Sequence, residues 1–292
     1  MTPELVLDCR AIIGESLLWV PEEGRLYWAD IKAPSLQSLH LASGEVKQWR
    51  VSSDLGGFAL DGAGRAVVAL RNGLHWLDLA SGAAQRILPP PFDPELIRFN
   101  ESGCDSTGRF WVGTMTDPVG NKQTARTGAL YSFTRREGLR AYPDFAYITN
   151  GMAWNADETV FFLSHSEEGV VYKYPYDAIQ GKLGRRSVFI RNASAGLPDG
   201  AAIDAAGNYW CAMHGASCLH RYTPDGALAE LVELPVSQPT MCCFAGDGLE
   251  YLYISSARDG LDAAALVREP LAGALFRIKP EIPGLPRHWR VA

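Results

Sequence analysis

The sequence predicts an all-β fold: a six-bladed β-propeller with four antiparallel strands per blade and an N-terminal strand closing the last blade. Three observations lead there. One short pattern recurs six times along the 292 residues. Each copy is followed by a second hairpin-like segment. No convincing amphipathic helix interrupts the series.

The recurring pattern is a small or apolar run, a turn rich in Asp and Gly, then a short aromatic or β-branched run. It reads SLLWVPEEGRLYWAD, GGFALDGAGRAVVAL, GCDSTGRFWVGTM, GMAWNADETVFFLSH, GAAIDAAGNYWCAMH and CCFAGDGLEYLYISSA. The last turn residue of each copy serves as a marker. Arg25, Arg65, Arg109, Thr159, Asn208 and Glu250 are then spaced by 40, 44, 50, 49 and 42 residues. The second segments run from LQSLHLASGEVKQW in the first unit to GALFRIKPEIPGLPRHW in the sixth. Gly, Asp, Asn and Pro at their turns suit tight β connections, so each unit reads as two hairpins and four strands. One such sheet cannot bury both faces alone, whereas six stacked around an axis bury them against each other. PELVLDC, residues 3–9, precedes the first unit and is the expected closing strand. The Pro-rich ILPPPFDPE, residues 87–95, reads as a surface loop. Residues 1–292 are expected to form one domain.

Composition fits this reading. Hydrophobic residues make up 47% and charged residues 21%, enough for a core and outside the disordered class. The net charge is −6 with no Lys/Arg run, which argues against a nucleic-acid partner. No stretch of about 18 apolar residues is present to span a membrane. The N-terminal stretch lacks a basic region followed by a long apolar one, so a cytoplasmic location is expected. The six cysteines show no disulfide spacing and read as buried small hydrophobes. Oligomeric state is left open.

In a propeller, the residues just before each innermost strand line one mouth of the central channel. Counting back nine or ten positions from each marker gives Glu15, Gly56, Asn100, Asn150, Asp199 and Met241. Four of the six are acids or amides among apolar or Gly neighbours. Arg98, two before Asn100, alternates onto the same side of an extended segment. Taken singly, Asn150-Gly151 and Asp199-Gly200 are ordinary turn pairs. In phase with the repeat, they predict converging oxygen donors, which suit a hard divalent cation. The cation also relieves the repulsion between two carboxylates in a narrow channel. Six residues after the markers, the second strands return to the same mouth with Arg71, Met115, His165, His214 and Ser256. His165 and His214 are candidates to orient substrate or shuttle protons, though a rim histidine is more often simply hydrogen-bonded.

These residues resemble the SMP-30/gluconolactonase/LRE family, also called the regucalcin family. IIGESLLW is similar to its L-G-E-G-P-x-W opening. GGFAL followed by ALRNGLHWLD is similar to its second blade. RFNESGCDSTGRFWVGTM is similar to R-x-N-D-x-x-x-D-x-x-G-R-x-W-x-G-T-M. ITNGMAWNADET and GLPDGAAIDAAGNYW are similar to its I-x-N-G and L-P-D-G segments. The resemblance runs nearly end to end. It implies a six-bladed propeller with one divalent metal held by Glu15, Asn150 and Asp199. It implies substrate contact by Arg98 and Asn100. Glu101, where the family often has Asp, and His165, which with Ser166 replaces a frequent Asp-Ser, join the substrate-binding expectation along with His214. Asp117, in the loop TDPVGNKQTARTG, stands where relatives often carry an acid that reaches substrate.

The implied activity is hydrolysis of a sugar lactone to an aldonic acid in oxidative sugar catabolism. Asp199 is the expected general base, since a ligating carboxylate can also face the attacking water. The ion is Ca²⁺, Zn²⁺, Mn²⁺, Mg²⁺ or Fe²⁺. Relatives also include hydrolases of other esters or organophosphates and proteins described as calcium-binding, so a regulatory propeller without hydrolase activity is the alternative. The Arg98/Asn100 pair favours the enzyme, because a pure cation site has no need of a positive neighbour. No G-x-S-x-G elbow supports a serine hydrolase around Ser164 or Ser166. Cys211, His214, Cys218 and His220 superficially resemble a zinc cluster, but the repeat spreads them over two strands.

Overall fold

Each repeat folds as an antiparallel sheet whose first strand is innermost. In the computed structural model, which describes every residue except 121, 123, 146, 147 and 193, the six inner strands are Gly14–Val20, Leu55–Leu60, Ile97–Cys104, Thr149–Trp154, Leu197–Ile203 and Pro239–Ala245. Each touches the next and the sixth touches the first, so the sheets form a closed ring of six blades.

The inner strands are apolar on both faces because both faces are covered. Successive side chains of a strand point to opposite sides. Leu17 and Trp19 of blade 1 pack against blade 6, while Leu18 and Val20 pack against blade 2. The same division fills all six gaps between neighbouring blades with apolar clusters. Cys104, Cys211, Cys218, Cys242 and Cys243 are buried free thiols, and Cys9 is half-buried. Cys211, Cys218 and His220 lie on paired strands of blade 5, and His220 is hydrogen-bonded to the Tyr222 hydroxyl at 2.8 Å. Among the described residues no group of three His, Cys, Asp or Glu side chains stands at metal-binding distances. No helix among them is long and apolar enough to cross a membrane.

The predicted closing strand is Glu4–Leu7, which pairs with Leu275–Ile278 and completes blade 6. Two expectations differ in detail. Blade 4 carries an extra two-residue strand, Lys182–Leu183, which pairs with Tyr176 and Asp177 at one end of the third strand, while the outer strand Ser187–Arg191 pairs with its other end. The sixth second segment is not a hairpin. Its outer position is already taken by the N-terminal strand, so the chain beyond Ile278 crosses the far end of the channel instead. There it forms bridges from Gly284 to Asp204, His288 to Cys104 and Arg290 to Leu60. One short helix, Ala263–Arg268, precedes Leu275–Ile278.

All six inner strands share an irregularity that positions the site. Pairing with the second strand slips between Glu15 and Leu18, Leu55 and Gly57, Phe99 and Ser102, Asn150 and Ala153, Pro198 and Ala201, and Pro239 and Cys242. A β-bulge bends the strand and re-aims side chains. Repeated around the axis, it brings Glu15, Asn100, Asn150, Asp199 and Thr240 of five blades to the same space, while blade 2 has Gly56 at this point and contributes no wall residue.

Candidate metal and substrate site

The bulges open into a cavity of about 210 Å³ whose walls include Glu15, Arg98, Asn100, Asn150, Asp199 and His214. Ser166, Gln238, Thr240 and Asp259 also line it. In blade 6 the count from the marker reaches Met241, one residue past the structural equivalent. Thr240 faces the cavity, and Met241 packs beneath Gly200.

A continuous hydrogen-bond chain fixes the polar wall. Arg98 Nη1 donates to Asn100 Oδ1 at 2.8 Å. Asn100 Nδ2 donates to Asn150 Oδ1 at 2.6 Å and to the Thr149 carbonyl at 3.1 Å. Asn150 Nδ2 donates to Ser166 Oγ at 3.0 Å, which donates to the Pro198 carbonyl at 2.7 Å. Three blades are thereby tied beside Asp199. The chain also orients the Asn150 amide, leaving Oδ1 a second lone pair. Glu15 Oε2 accepts from the Ser16 amide at 2.8 Å, and Ser16 itself sits at φ +53°.

The Glu15 and Asp199 carboxyls are buried, while Asp259 stands at the exposed rim. Burial pushes the Glu15 carboxyl up to about 8, with the charge of Glu101 adding to the shift. Burial, then Glu15 and Glu101, hold Asp199 well above the usual carboxylate range. Two desolvated carboxyls, next to an amide oxygen of fixed orientation, are a donor set that fits a hard divalent cation. Burial depresses the His214 imidazole, opposed by the charge of Asp259.

The structure does not bring two of the expected residues to the cavity. Glu101 is turned beneath its floor, where its oxygens accept from the amides of Gly151 (2.6 Å) and Met152 (2.7 Å). The extra residue of the bulge breaks the strict alternation that sequence counting assumes. His165 ends the second strand of blade 4 and packs away from the cavity. Its Nδ1 meets Glu168 Oε1 at 3.3 Å, its Nε2 lies 3.4 Å from the Tyr174 hydroxyl, and its ring stands edge-on to Tyr172. Its neighbour Ser166 takes the cavity position, and the HS dipeptide was the available signal. Ser164 Oγ instead pairs with the Tyr209 hydroxyl at 3.3 Å.

Asp117 lies behind Arg98. It accepts from Arg98 Nε at 3.0 Å, Lys32 Nζ at 2.6 Å and Arg71 Nη2. Asp54 joins this cluster, accepting from Lys32 at 2.9 Å and Arg71 Nη2 at 2.8 Å. Residues 121 and 123 of the following loop lie outside the described residues.

A second cavity of about 250 Å³ opens under the opposite mouth, walled largely by Met152, Ile203, Phe244 and Leu285. Its acid and amide are engaged in turn structure: Glu158 accepts from the Ser106 amide, and Asn155 from the amides of Thr159 and Val160.

Known proteins resemble this chain over nearly its whole length. A 6-deoxy-6-sulfogluconolactonase of Pseudomonas putida is 34% identical over 97% of this chain and 96% of its own. Regucalcin of Gallus gallus is 32% identical over 94% and 93%. The crystal structure of regucalcin from Agrobacterium tumefaciens, described as a calcium-binding protein, superposes with a TM-score of 0.90 at 26% identity, covering 98% of this chain and 97% of that one. A gluconolactonase of Xanthomonas campestris shares the fold, with a TM-score of 0.74 at 19% identity over 96% and 89%. Residues 13–258 match the family described as the SMP-30/Gluconolactonase/LRE-like region, and the chain belongs to that family.

Proposed function

We propose that this chain is a metal-dependent hydrolase that opens a sugar lactone to the corresponding aldonic acid. The observation that carries the reading is the convergence of Glu15, Asn150 and Asp199 with Arg98 and Asn100 on one small cavity. Lactonases among the relatives support the reaction class. The regucalcins support the presence of a divalent ion.

A lactone is a cyclic ester. Water adds to its carbonyl carbon, the ring C–O bond breaks, and the ring oxygen leaves as a hydroxyl. Glu15, Asn150 and Asp199 are the residues that would hold the ion. A bound divalent cation supplies Lewis-acid stabilisation of charge building on the carbonyl oxygen. Asp199 takes the proton from the attacking water and returns it to the departing ring oxygen. Arg98 presents a rigid donor to sugar hydroxyls and the carbonyl, and Asn100, whose two amide hydrogens are already engaged, offers the remaining lone pair of its Oδ1 to a hydroxyl. His214, its imidazole depressed by burial, offers a further hydrogen bond at the rim. Arg98 distinguishes this site from a pure cation trap: a buried guanidinium disfavours a bare ion and favours a substrate with developing negative charge.

The test is acid release from a panel of aldonolactones, with and without chelator, for the wild type and Asp199→Asn. Wild-type acceleration abolished by chelation and restored by a divalent ion is expected. Asp199→Asn is expected to lower kcat by about 10²–10⁴ with the fold intact. Near-wild-type turnover of that variant would remove Asp199 from the chemistry. Metal binding without acceleration on any lactone would instead leave a binding propeller.

A further inference from the structure

Two charges stand behind the cavity rather than in it. Glu101 is fully buried at the bulge of blade 3, and its carboxylate reaches across to blade 4. There it accepts from the amides of Gly151 and Met152, the two residues after Asn150. The bulge that presents Asn150 is therefore held by another blade. Blade 5 holds it too, by the Tyr209 hydroxyl donating to the Gly151 carbonyl at 2.9 Å, and the fit is close: Gly151 lies at φ +61°, and a Cβ there would sit 2.3 Å from both Ser164 Oγ and the Tyr209 hydroxyl.

Arg287 arrives from the opposite mouth. The C-terminal segment is anchored on blade 5 by Leu285 N to the Ile203 carbonyl (3.0 Å) and on blade 2 by Val291 N to the Leu60 carbonyl (2.8 Å). Between these anchors Arg287 turns into the channel. Its Nη2 donates at 2.9 Å to the carbonyl of Ser102, the residue after Glu101. Gly103 leaves room for the guanidinium, since a Cβ there would stand 2.9 Å from Nη2. Burial raises the Glu101 carboxyl to about 7, and Arg287 is the charge that most opposes this.

We propose that Glu101 and Arg287 are positioning residues of the cavity: the carboxylate clamps the Asn150–Met152 bulge from blade 3, and the guanidinium carried in by the C-terminal segment is its counter-charge. A site that opens at one mouth is thus set from the other. Neither residue touches substrate in this arrangement. The metal readout below rests on the proposed function; the pairing of the two charges does not.

The experiment has two arms, both on the full chain. In the first, Mn²⁺ is titrated into metal-free wild type and Glu101→Gln, followed by the loss of free-ion EPR signal. Positioning partners of ligands typically change metal affinity by about 10–100-fold. Glu101→Gln is expected to weaken Mn²⁺ binding by roughly tenfold or more, and to lower kcat more than it alters KM. Wild-type Mn²⁺ affinity in that variant overturns the clamp. In the second arm, Tm is measured without metal for Arg287→Met, Glu101→Gln and the double variant. Arg287→Met is expected to cost stability in the wild-type background and far less in the Glu101→Gln background, where the partner is a neutral amide. Arg287→Lys is expected to retain most of the stability. Additive losses overturn the pairing. Failure of the wild type to bind Mn²⁺ overturns the metal reading, and the stability cycle still decides whether the two charges are coupled. Should Glu101→Gln not fold, Arg287→Met and Arg287→Lys decide: equal losses in Tm from both overturn a role for the charge.

Discussion

Asn150 owes its position to residues that never enter the cavity. Its amide is pinned by Asn100 and Ser166, and the backbone that follows it, Gly151 and Met152, by Glu101. Gly151 is the hinge on which this depends, because only glycine adopts φ +61° there without a Cβ striking two hydroxyls and the Asp199 carbonyl. Gly151→Ala is expected to cost about 2–4 kcal/mol through backbone strain and steric clash together. Urea unfolding of the metal-free protein measures it, and a loss below about 1 kcal/mol would show that the bulge relaxes freely. At this scale the sequence was partly legible. Glu15, Asn100, Asn150 and Asp199 share a phase with the repeat, and a phase is readable without coordinates. The directions of Glu101 and His165 were not, because one inserted residue exchanges the two faces of a strand. Thr240 was missed by one position for the same reason. Asp117, Asp54, Lys32 and Arg71 come from different blades, and no spacing links them.

The hairpins between first and second strands reuse one device. Asp61, Asp105, Asn155 and Asp204 each accept from backbone amides across their own turn. In blades 3 and 5 the same carboxylate also accepts from an indole: Asp105 from Trp111 at 3.1 Å and Asp204 from Trp210 at 3.0 Å. This explains why the D-x-x-G-x-x-W strings recur and why they mark strand ends so reliably. Asp204 is fully buried and also takes Asn208 Nδ2 at 2.8 Å, so Asp204→Ala orphans several donors at once. The expected cost is about 3 kcal/mol or more. Asp225→Ala, at an exposed turn in the same blade, is expected to cost less than about 1 kcal/mol. Thermal unfolding of the two variants side by side checks the ordering, and equal losses would sink it. Turn chemistry made the elements legible because it is local. The fate of residues after Ile278 was not local: the first residues of the chain had already filled the outer edge of blade 6.

For the molecule as a whole, closing the ring demands more than apolar packing between neighbours, since the blades must also agree at their rims. Lys32 lies between the second and third strands of blade 1, Asp54 and Arg71 flank strands of blade 2, and Asp117 lies between the second and third strands of blade 3, so the cluster joins three blades in one contact. Burial alone would raise the Asp54 carboxyl, but hydrogen bonds from Lys32 and Arg71, with their charges, outweigh it and hold the group below its ordinary value. A carboxylate depressed in the folded state stabilises above its unfolded pKa of about 3.9. That contribution disappears as pH falls through the lower folded value. Asp54→Asn is therefore expected to lower Tm at pH 7, and the gap from wild type is expected to narrow as pH drops below about 4. The cluster is only partly exposed, so its effect should survive moderate salt better than a surface pair would. Tm measured from pH 7 down to the acid transition, at low and at physiological ionic strength, reads both effects. A gap that stays constant into the acid limb would show that Asp54 acts through packing, and that the rim of the ring is held by shape rather than by charge.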